Sequence, residues 1–353
     1  KMMSPAYGLV TLRSGLAAGR DLTYAPVGDR VFYSNGVENG CIQNGLNRTW
    51  GIVTPGRPVL SAASGTLLAG DYQVAVTYVR NDGQESGTGR AVAVALSGVG
   101  GISITSIPVS TDPGVVYKRV YASPVGSKTL YYCGIVLNAT TTFTIAAIHT
   151  DADPLITQFL SPPPAGDFIG YFKSWMLVAK DERLYPSEAY GPELFDLRKA
   201  IPFTSRITMV APLNNKADGC WIGTADQVIF LSGGSPEEWT YQTAADYGVV
   251  PYTLAYADGE LLGDGASRGN TVAFFATTRG LCVGYSDGAF ENLTESRFAY
   301  PSMERGAGVV RRHAGMAQYI AVLAGRATAG NTAPLDGAQT HTAVVAPTLT
   351  ATG

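Results

Sequence analysis

Alternating apolar and polar residues between positions 65 and 147 predict a run of short β-strands. In segment 72–78 the aromatic and aliphatic side chains occupy every second position and share one face, whereas Gln73, Ala75 and Thr77 share the other, as in a half-buried strand. Asn81-Asp82-Gly83 then supplies a turn, because Gly tolerates positive φ. Strands spaced by about 8–12 residues with turn signals between them are typical of a β-sandwich. The further predicted strands are 91–96, 102–107, 115–122, 130–135 and 141–148.

Outside that run the sequence repeats a pattern of strand, tight turn and strand. The second strand of each repeat opens on an aliphatic residue, and the last three of these residues lie 44 and 53 positions apart. That spacing is near the period of a four-stranded propeller blade. A further blade is predicted over 306–323, where three glycines argue against a helix. The aliphatic residues are Val31, Leu184, Val228 and Leu281.

These patterns predict an all-β chain in which a β-propeller-like repeat of four-stranded blades is interrupted by a β-sandwich. The first propeller blade or blades occupy 1–52, and the inserted sandwich occupies 53–160. The remaining blades occupy 161–325, and 326–353 form an extended C-terminal tail or arm. The chain opens at Lys1 rather than Met, so we expect further sequence before it.

The chain carries little charge for its length. Hydrophobic residues make up 46% of the 353 positions and charged residues only 15%, well below the usual quarter or so. Such a chain covers its surface with Ser, Thr, Asn, Gly and Tyr, which favours permanent packing against neighbouring subunits. The net charge of −3 provides no global basic field to hold nucleic acid. No run of 18 apolar residues predicts a membrane-spanning helix.

Residues capable of catalysis or metal binding are scattered. The four cysteines, at 41, 133, 220 and 282, form no CxxC motif, so we predict buried free thiols, with a disulfide or a metal site as alternatives. The histidines, at 149, 313 and 341, lie in unrelated contexts, and no G-x-S-x-G motif occurs. The sequence therefore predicts no nucleophilic triad.

Paired carboxylates occur at Asp181-Glu182 and Glu237-Glu238, beside turn residues, and we expect both pairs to face solvent. Adjacent strand residues point to opposite faces, so neither pair converges on one substrate. Segment 263–269 is predicted to be a hairpin tip rather than a phosphate loop, and segment 151–153 a solvated turn rather than a calcium site. We therefore predict a non-enzyme with no catalytic, cofactor-binding or metal site, and no cofactor.

One concentrated basic patch remains, formed by Arg311, Arg312 and His313. It has two interpretations. The patch contacts DNA phosphates in a channel or meets a neighbouring subunit at an interface, or it is an exposed strand edge that charge protects from unwanted pairing.

Several segments of the sequence resemble a known protein family. Segments 70–86, 117–123 and 130–132 resemble a fibronectin-III-like or Ig-like module of the kind inserted in tail proteins of tailed bacteriophages. Other segments are similar to the propeller of the tail tube or nozzle proteins of short-tailed phages, also called tail tubular protein B. These segments are 161–166, 175–179, 183–188, 228–233, 247–250 and 278–281.

The resemblance implies a structural virion protein of the phage tail, assembled in the bacterial cytoplasm. Six copies would form a ring below the portal and its adaptor, and double-stranded DNA would pass through the central channel without sequence specificity. The sandwich would project outward, where it would anchor tail fibres or decorate the surface. The family has no catalytic residues to transfer. The chain is short for a complete nozzle, and its Ala/Thr/Gly-rich C-terminal segment matches no family motif.

Two alternative functions stay open at this point. The first is a tail-tip or fibre protein that binds a host-surface glycan or outer-membrane protein, which a surface cluster of aromatic residues near Trp221 and Trp239 would favour. The second is a polysaccharide depolymerase on a propeller scaffold, which needs two carboxylates facing one cleft.

Overall fold

The computed structural model describes residues 2–4, 10–214, 219–259, 270–295, 303–313, 316–325 and 340–345. Within these ranges the regular elements are β-strands, apart from one 3-10 turn at Leu197–Lys199. The strands form small antiparallel sheets of two to five strands, so the all-β prediction is confirmed. The chain divides into two compact units. Unit 1 contains Lys1–Leu46, Ala165–Pro186 and Ala200–Gly353, and unit 2 contains Asn47–Pro164 and Ser187–Lys199.

The N-terminal strands of the chain form two small sheets. The first sheet pairs β1 (Met2–Ser4) with β2 (Val10–Arg13). The second contains four strands in chain order, joined by tight turns that use positive φ at Gly28 and at Asn44-Gly45. Phe32 and Tyr33 in its second strand are fully buried. The four strands are β3 (Thr23–Val27), β4 (Arg30–Ser34), β5 (Asn39–Gln43) and β6 (Leu46–Arg48).

Unit 2 contains two sheets, with strand orders β13-β10-β7 and β12-β11-β8-β9. Both sheets contribute to one apolar core, in which Val74 and Val76 of β8 meet Ile102 and Ile104 of β10. Every second residue along these strands enters the core, as the pleat requires. The strands are β7 (Val59–Leu67), β8 (Gly70–Arg80), β9 (Val92–Leu96), β10 (Gly100–Ser106), β11 (Val115–Ala122), β12 (Tyr131–Leu137) and β13 (Phe143–Ile145).

Two details of this unit differ from the prediction. Strand β7 was missed, because its Ser, Ala, Gly and Thr residues carry almost no hydrophobic alternation. Strand β8 is buried on both faces rather than one: Ala75 is 2% exposed and Thr77 fully buried. Leu130 and Tyr121 pack with Ala75 on the second face, and the Thr77 hydroxyl donates to Glu85. A central strand covered on both sides needs no polar face.

The chain then forms a sheet with order β14-β15-β16-β17, in which a short fifth strand also pairs with β16. Phe172 and Leu177 of this sheet are fully buried. A two-residue turn at Asp181-Glu182 joins β15 to β16, with positive φ at Asp181. The strands are β14 (Phe168–Phe172), β15 (Trp175–Lys180), β16 (Arg183–Glu188), β17 (Gly191–Phe195) and β18 (Ile201–Pro202).

The rest of unit 1 consists of two four-stranded sheets, β19-β20-β21-β22 and β23-β24-β25-β26, and the three-stranded sheet β27-β28-β29. Apolar clusters join each sheet to the next, and Phe274 of β24 stacks on Tyr319 of β28 with 5.5 Å between ring centroids. The strands are β19 (Ile207–Leu213), β20 (Gly219–Thr224), β21 (Val228–Ser232), β22 (Thr240–Ala245), β23 (Ala255–Asp258), β24 (Thr271–Thr277), β25 (Gly280–Gly284), β26 (Phe290–Asn292), β27 (Met303–His313), β28 (Met316–Gly325) and β29 (Thr340–Val345).

The repeated aliphatic residues do not occupy equivalent strands. Leu184, Val228 and Leu281 lie in the third strands of their sheets, whereas Val31 lies in β4, the second strand of its sheet. The sequence pattern predicts a tight hairpin, but it does not indicate which strands of the sheet that hairpin joins. Within the predicted tail, 340–345 form β29 and pair with β28, and 326–339 and 346–353 lie outside the described residues. Segment 263–269 also lies outside them.

Candidate functional site

A charged cleft opens in unit 1, where segments distant in sequence converge. It consists of two adjoining cavities of about 580 Å³ and 570 Å³. The segments come from the approach to β3, the starts of β14, β19 and β27, and the loop before β23. We call it the arginine cleft and define it by the six residues that line both cavities: Arg20, Asp21, Phe168, Thr208, Tyr252 and Arg305.

Two ion pairs set the electrostatics of the arginine cleft. Arg206 Nη2 lies 2.8 Å from Asp167 Oδ2, and Arg305 Nη2 lies 2.8 Å from Asp21 Oδ2. Asp167 is buried, and its backbone carbonyl accepts a hydrogen bond of 3.2 Å from the Thr23 hydroxyl. The hydrogen bond between the Asp167 carboxylate and Arg206 raises the pKa of the Arg206 guanidinium, which therefore stays charged. Charge is thus present in the cleft but largely neutralised locally.

Tyr252 forms an aromatic wall of the arginine cleft. Its ring lies 5.0 Å from the Phe168 ring, centroid to centroid, at a tilt of 39°. Burial raises the pKa of its hydroxyl, and the charges of Asp167 and Asp21 raise it further. The hydroxyl therefore remains a hydrogen-bond donor at neutral pH. The backbone φ of Tyr252 is +66°, which is costly for a residue with a side chain and is often found at functional sites.

Thr208 lies in the wall of the arginine cleft beside these groups. The residue is 7% exposed, and its buried hydroxyl makes no hydrogen bond to any described residue. Most buried hydroxyls in folded proteins have a partner. Thr208 is thus a polar group within the wall whose hydrogen-bonding capacity the surrounding protein leaves unused.

The predicted basic patch lies elsewhere on β27. Arg311 and Arg312 are exposed near the end of the strand, and Arg311 Nε donates to Gln318 Oε1 at 2.9 Å. The backbone of His313 pairs with Met316. Arg305 of the cleft precedes Arg311 by six positions, about 20 Å along an extended strand. The structure therefore separates the basic patch from the arginine cleft, and its function stays a prediction.

The other candidate residues do not come together. Both predicted carboxylate pairs, Asp181-Glu182 and Glu237-Glu238, are exposed, as expected. Asp151 and Asp153 are exposed at a turn. Across the described part of the chain, no three His, Cys, Asp or Glu side chains form a group that could hold a metal ion. Two other carboxylates, Asp21 and Glu304, line the larger cavity of the arginine cleft.

No disulfide joins the four cysteines, as predicted. Cys41, Cys220 and Cys282 are buried, and Cys133 is half-buried. Burial raises the pKa of Cys133 to about 11 and that of Cys282 to about 12. The thiolate is the reactive form of cysteine, so these two thiols are unreactive at neutral pH.

The two tryptophans that could have marked a surface site are buried. Trp221 is fully buried and its Nε1 donates to the Tyr285 carbonyl at 3.0 Å. Trp239 is 6% exposed and contacts the ring of Trp175 edge-on at 6.1 Å. The surface aromatic cluster that would favour receptor binding is therefore not formed by these residues.

A second group of charges lies buried in unit 2, and sequence reasoning missed it. Arg80 Nη1 lies 2.8 Å from Glu193 Oε2, and Arg80 Nη2 lies 2.8 Å from Asp112 Oδ2. Arg48 bridges Glu193, at 2.8 Å, and Asp82, at 2.6 Å. The side chains of Arg80 and Glu193 are 2% and 1% exposed. These ion pairs join all five charged side chains to one another, so the cluster is a structural element of unit 2.

No known protein family matches this chain, and a comparison with curated proteins finds no match. Among the described residues, no helix has the length and apolar character needed to cross a membrane.

Proposed function

We propose that this chain is a structural protein of a bacteriophage tail, a nozzle or tube component that assembles as a ring around the DNA ejection channel. The order of the sheets in unit 1 carries the proposal. Each sheet uses consecutive strands, and first strands lie side by side, as β14 does with β3 and β19, and β23 with β27. Radial repetition of such sheets is the architecture of a β-propeller. That architecture is what the resemblance to tail tubular protein B implies.

The strand order in unit 2 supports the same proposal. If β7 to β12 correspond to strands B, C, C′, E, F and G, the order β12-β11-β8-β9 is that of a GFCC′ sheet. The pairing of β7 with β10 then matches the B–E pair of the second sheet. An Ig-like or fibronectin-III-like sandwich inserted after the first propeller sheet is the arrangement that the resemblance implies.

In this proposal the function is geometric rather than catalytic. Small sheets packed through apolar clusters form a rigid wall that sets the width of the channel. With a net charge of −3, the chain offers DNA phosphates little attraction, so the duplex slides instead of binding. Arg311 and Arg312 are the candidate contacts to DNA or to a neighbouring subunit.

Native mass spectrometry of the purified chain, with electron-microscope class averages of the same sample, tests this proposal. We expect a closed ring of six copies with a central hole. A monomer or a trimer at every concentration tested would overturn the ring. An Arg311→Gln, Arg312→Gln double variant then separates the interpretations of the basic patch. Loss of the ring indicates a subunit interface, and an intact ring that ejects DNA at an altered rate indicates a contact with DNA. Aggregation of the variant indicates a strand edge that charge protects from unwanted pairing.

A further inference from the structure

The arginine cleft has the size and chemistry of a ligand site, and the proposed ring function does not use it. We propose that it binds a neutral saccharide, a short chain of hexose or N-acetylhexosamine units. Each of its two adjoining cavities, of about 580 and 570 Å³, falls within the 300–1,000 Å³ or so that is typical of small-molecule sites. This inference goes beyond the proposed function, since it requires neither a ring nor a channel.

The charge balance of the cleft selects a neutral ligand. Arg20, Arg206 and Arg305 line the larger cavity together with Asp21 and Glu304, and Asp167 pairs with Arg206 beside it. Three positive charges are therefore balanced by three negative ones, two of them on residues that line the cavity. A phosphate or carboxylate that approaches Arg206 or Arg305 would have to displace Asp167 or Asp21 and would then face that carboxylate. An uncharged ligand meets no such penalty.

The ion pairs also match the hydrogen-bonding needs of sugar hydroxyls. A hydroxyl donates one hydrogen bond and accepts up to two, so it is best met by donors and acceptors held side by side. The pair Arg305–Asp21 places a guanidinium next to a carboxylate at 2.8 Å in the lining of both cavities. Arg206 lines the larger cavity and is held at 2.8 Å by the buried Asp167 beside it. Because each side chain of a pair restrains the other, part of the entropy cost of binding is already met.

Tyr252 and Phe168 provide the apolar surface that a sugar ring requires. Their rings contact each other at 5.0 Å, and both residues line both cavities. The Tyr252 hydroxyl remains protonated at neutral pH and adds a donor near Asp167 and Asp21. The unused hydroxyl of Thr208 belongs to a residue that lines both cavities. A few polar groups beside an aromatic surface are the usual composition of such a site.

The test uses the full chain and a panel of neutral oligosaccharides built from glucose, galactose, mannose or N-acetylglucosamine. Sialylated and phosphorylated counterparts and a duplex DNA oligonucleotide complete the panel, and calorimetry measures Kd for each hit. We expect a neutral member to bind and Asp21→Asn to weaken it about tenfold or more, because a charge-assisted hydrogen bond is lost. Thr208→Val, which keeps the shape of the side chain, tests the hydroxyl separately.

Arg198→Gln is the matched control, since the exposed Arg198 side chain pairs with Asp196 in unit 2 and lines neither cavity. It should leave Kd unchanged, and thermal melting should show all variants folded. Three outcomes overturn the inference: no neutral member binds, only acidic members or DNA bind, or Asp21→Asn and Thr208→Val both bind like the parent. A ring that binds no saccharide refutes this inference alone. A monomer that binds one refutes the ring alone.

Discussion

The buried charge cluster of unit 2 leads to the sharpest prediction about stability. Arg80→Met removes the guanidinium that meets both Glu193 and Asp112 and roughly conserves side-chain volume. Glu193 would keep Arg48, but Asp112 would lose its arginine, and Arg80 also donates to the Gly51 carbonyl at 3.0 Å. Because Arg80 and Glu193 are almost wholly buried, water cannot replace the lost contacts. Breaking a buried pair by removing one partner costs about 3–5 kcal/mol.

Hydrogen exchange read by mass spectrometry measures this loss unit by unit. A cost of about 3–5 kcal/mol corresponds to protection lowered by roughly two to more than three powers of ten. We expect that change in peptides from β8 and β11, while peptides from β19 in unit 1 serve as the internal reference. Arg198→Met is the matched control, since its partner Asp196 is in the same unit but its own side chain is 66% exposed. Water can replace the contacts of such an exposed guanidinium, so we expect a much smaller loss of protection.

Two outcomes would show that the reasoning is wrong. The first is a loss of protection below about tenfold in β8 of Arg80→Met, because the cluster would then contribute no more than a surface pair. The second is an equal loss in Arg198→Met. The double variant Arg80→Met, Asp112→Asn completes a cycle. It should recover part of the loss, because it removes the charge of the carboxylate that Arg80→Met leaves without an arginine.

Two further predictions concern unit 2. Burial alone would raise the pKa of Asp112, but the hydrogen bonds from Arg80 and the Gly114 amide outweigh burial and lower it. Its stabilisation is therefore present above the unfolded pKa of about 3.9 and lost as pH falls through the folded pKa. The exchange penalty of Arg80→Met should accordingly shrink between pH 7 and pH 3, and a constant penalty would contradict this. A Cβ added in Gly87→Ala would overlap the Leu160 carbonyl, whereas one in Gly89→Ala meets nothing within 4 Å. Calorimetric unfolding should show that the free energy of unfolding falls by about 3 kcal/mol in Gly87→Ala and changes by less than about 0.5 kcal/mol in Gly89→Ala. Equal values would show that the backbone at Leu160 moves to accommodate the added methyl group.

Much of the fold could be predicted because strand pleating leaves its period in the sequence. The predicted strand 115–122 matches β11, and 91–96 differs from β9 by one residue. Strand β7 could not be found this way, since its small residues show no such period. The burial of Thr77 was missed for a different reason. Its partner Glu85 comes from a turn that folds back over the sheet, and the strand itself carries no sign of that cover.

The arginine cleft and the buried charge cluster could not be predicted, because their partners are remote in sequence. Arg80 and Glu193 are 113 positions apart, and Arg305 and Asp21 are 284 apart. No local motif encodes such a pair. The basic patch could be recognised from the sequence because its residues are adjacent, yet the structure places it away from the arginine cleft. Adjacency in sequence is a good guide to turns and hairpins but a poor guide to sites built where several segments converge.

The carbonyl of Gly166 has a consequence for how the chain is made. It accepts hydrogen bonds from the Ser34 hydroxyl at 2.6 Å and from the Gly36 amide at 2.8 Å, and Ser34 precedes it by 132 positions. A ribosome adding about 5–20 residues per second needs roughly 7–26 s to make that stretch. The first four-stranded sheet therefore emerges well before its neighbour exists, while unit 2 is being synthesised. During that interval the nascent sheet has exposed apolar surface, and chaperone binding should be concentrated there.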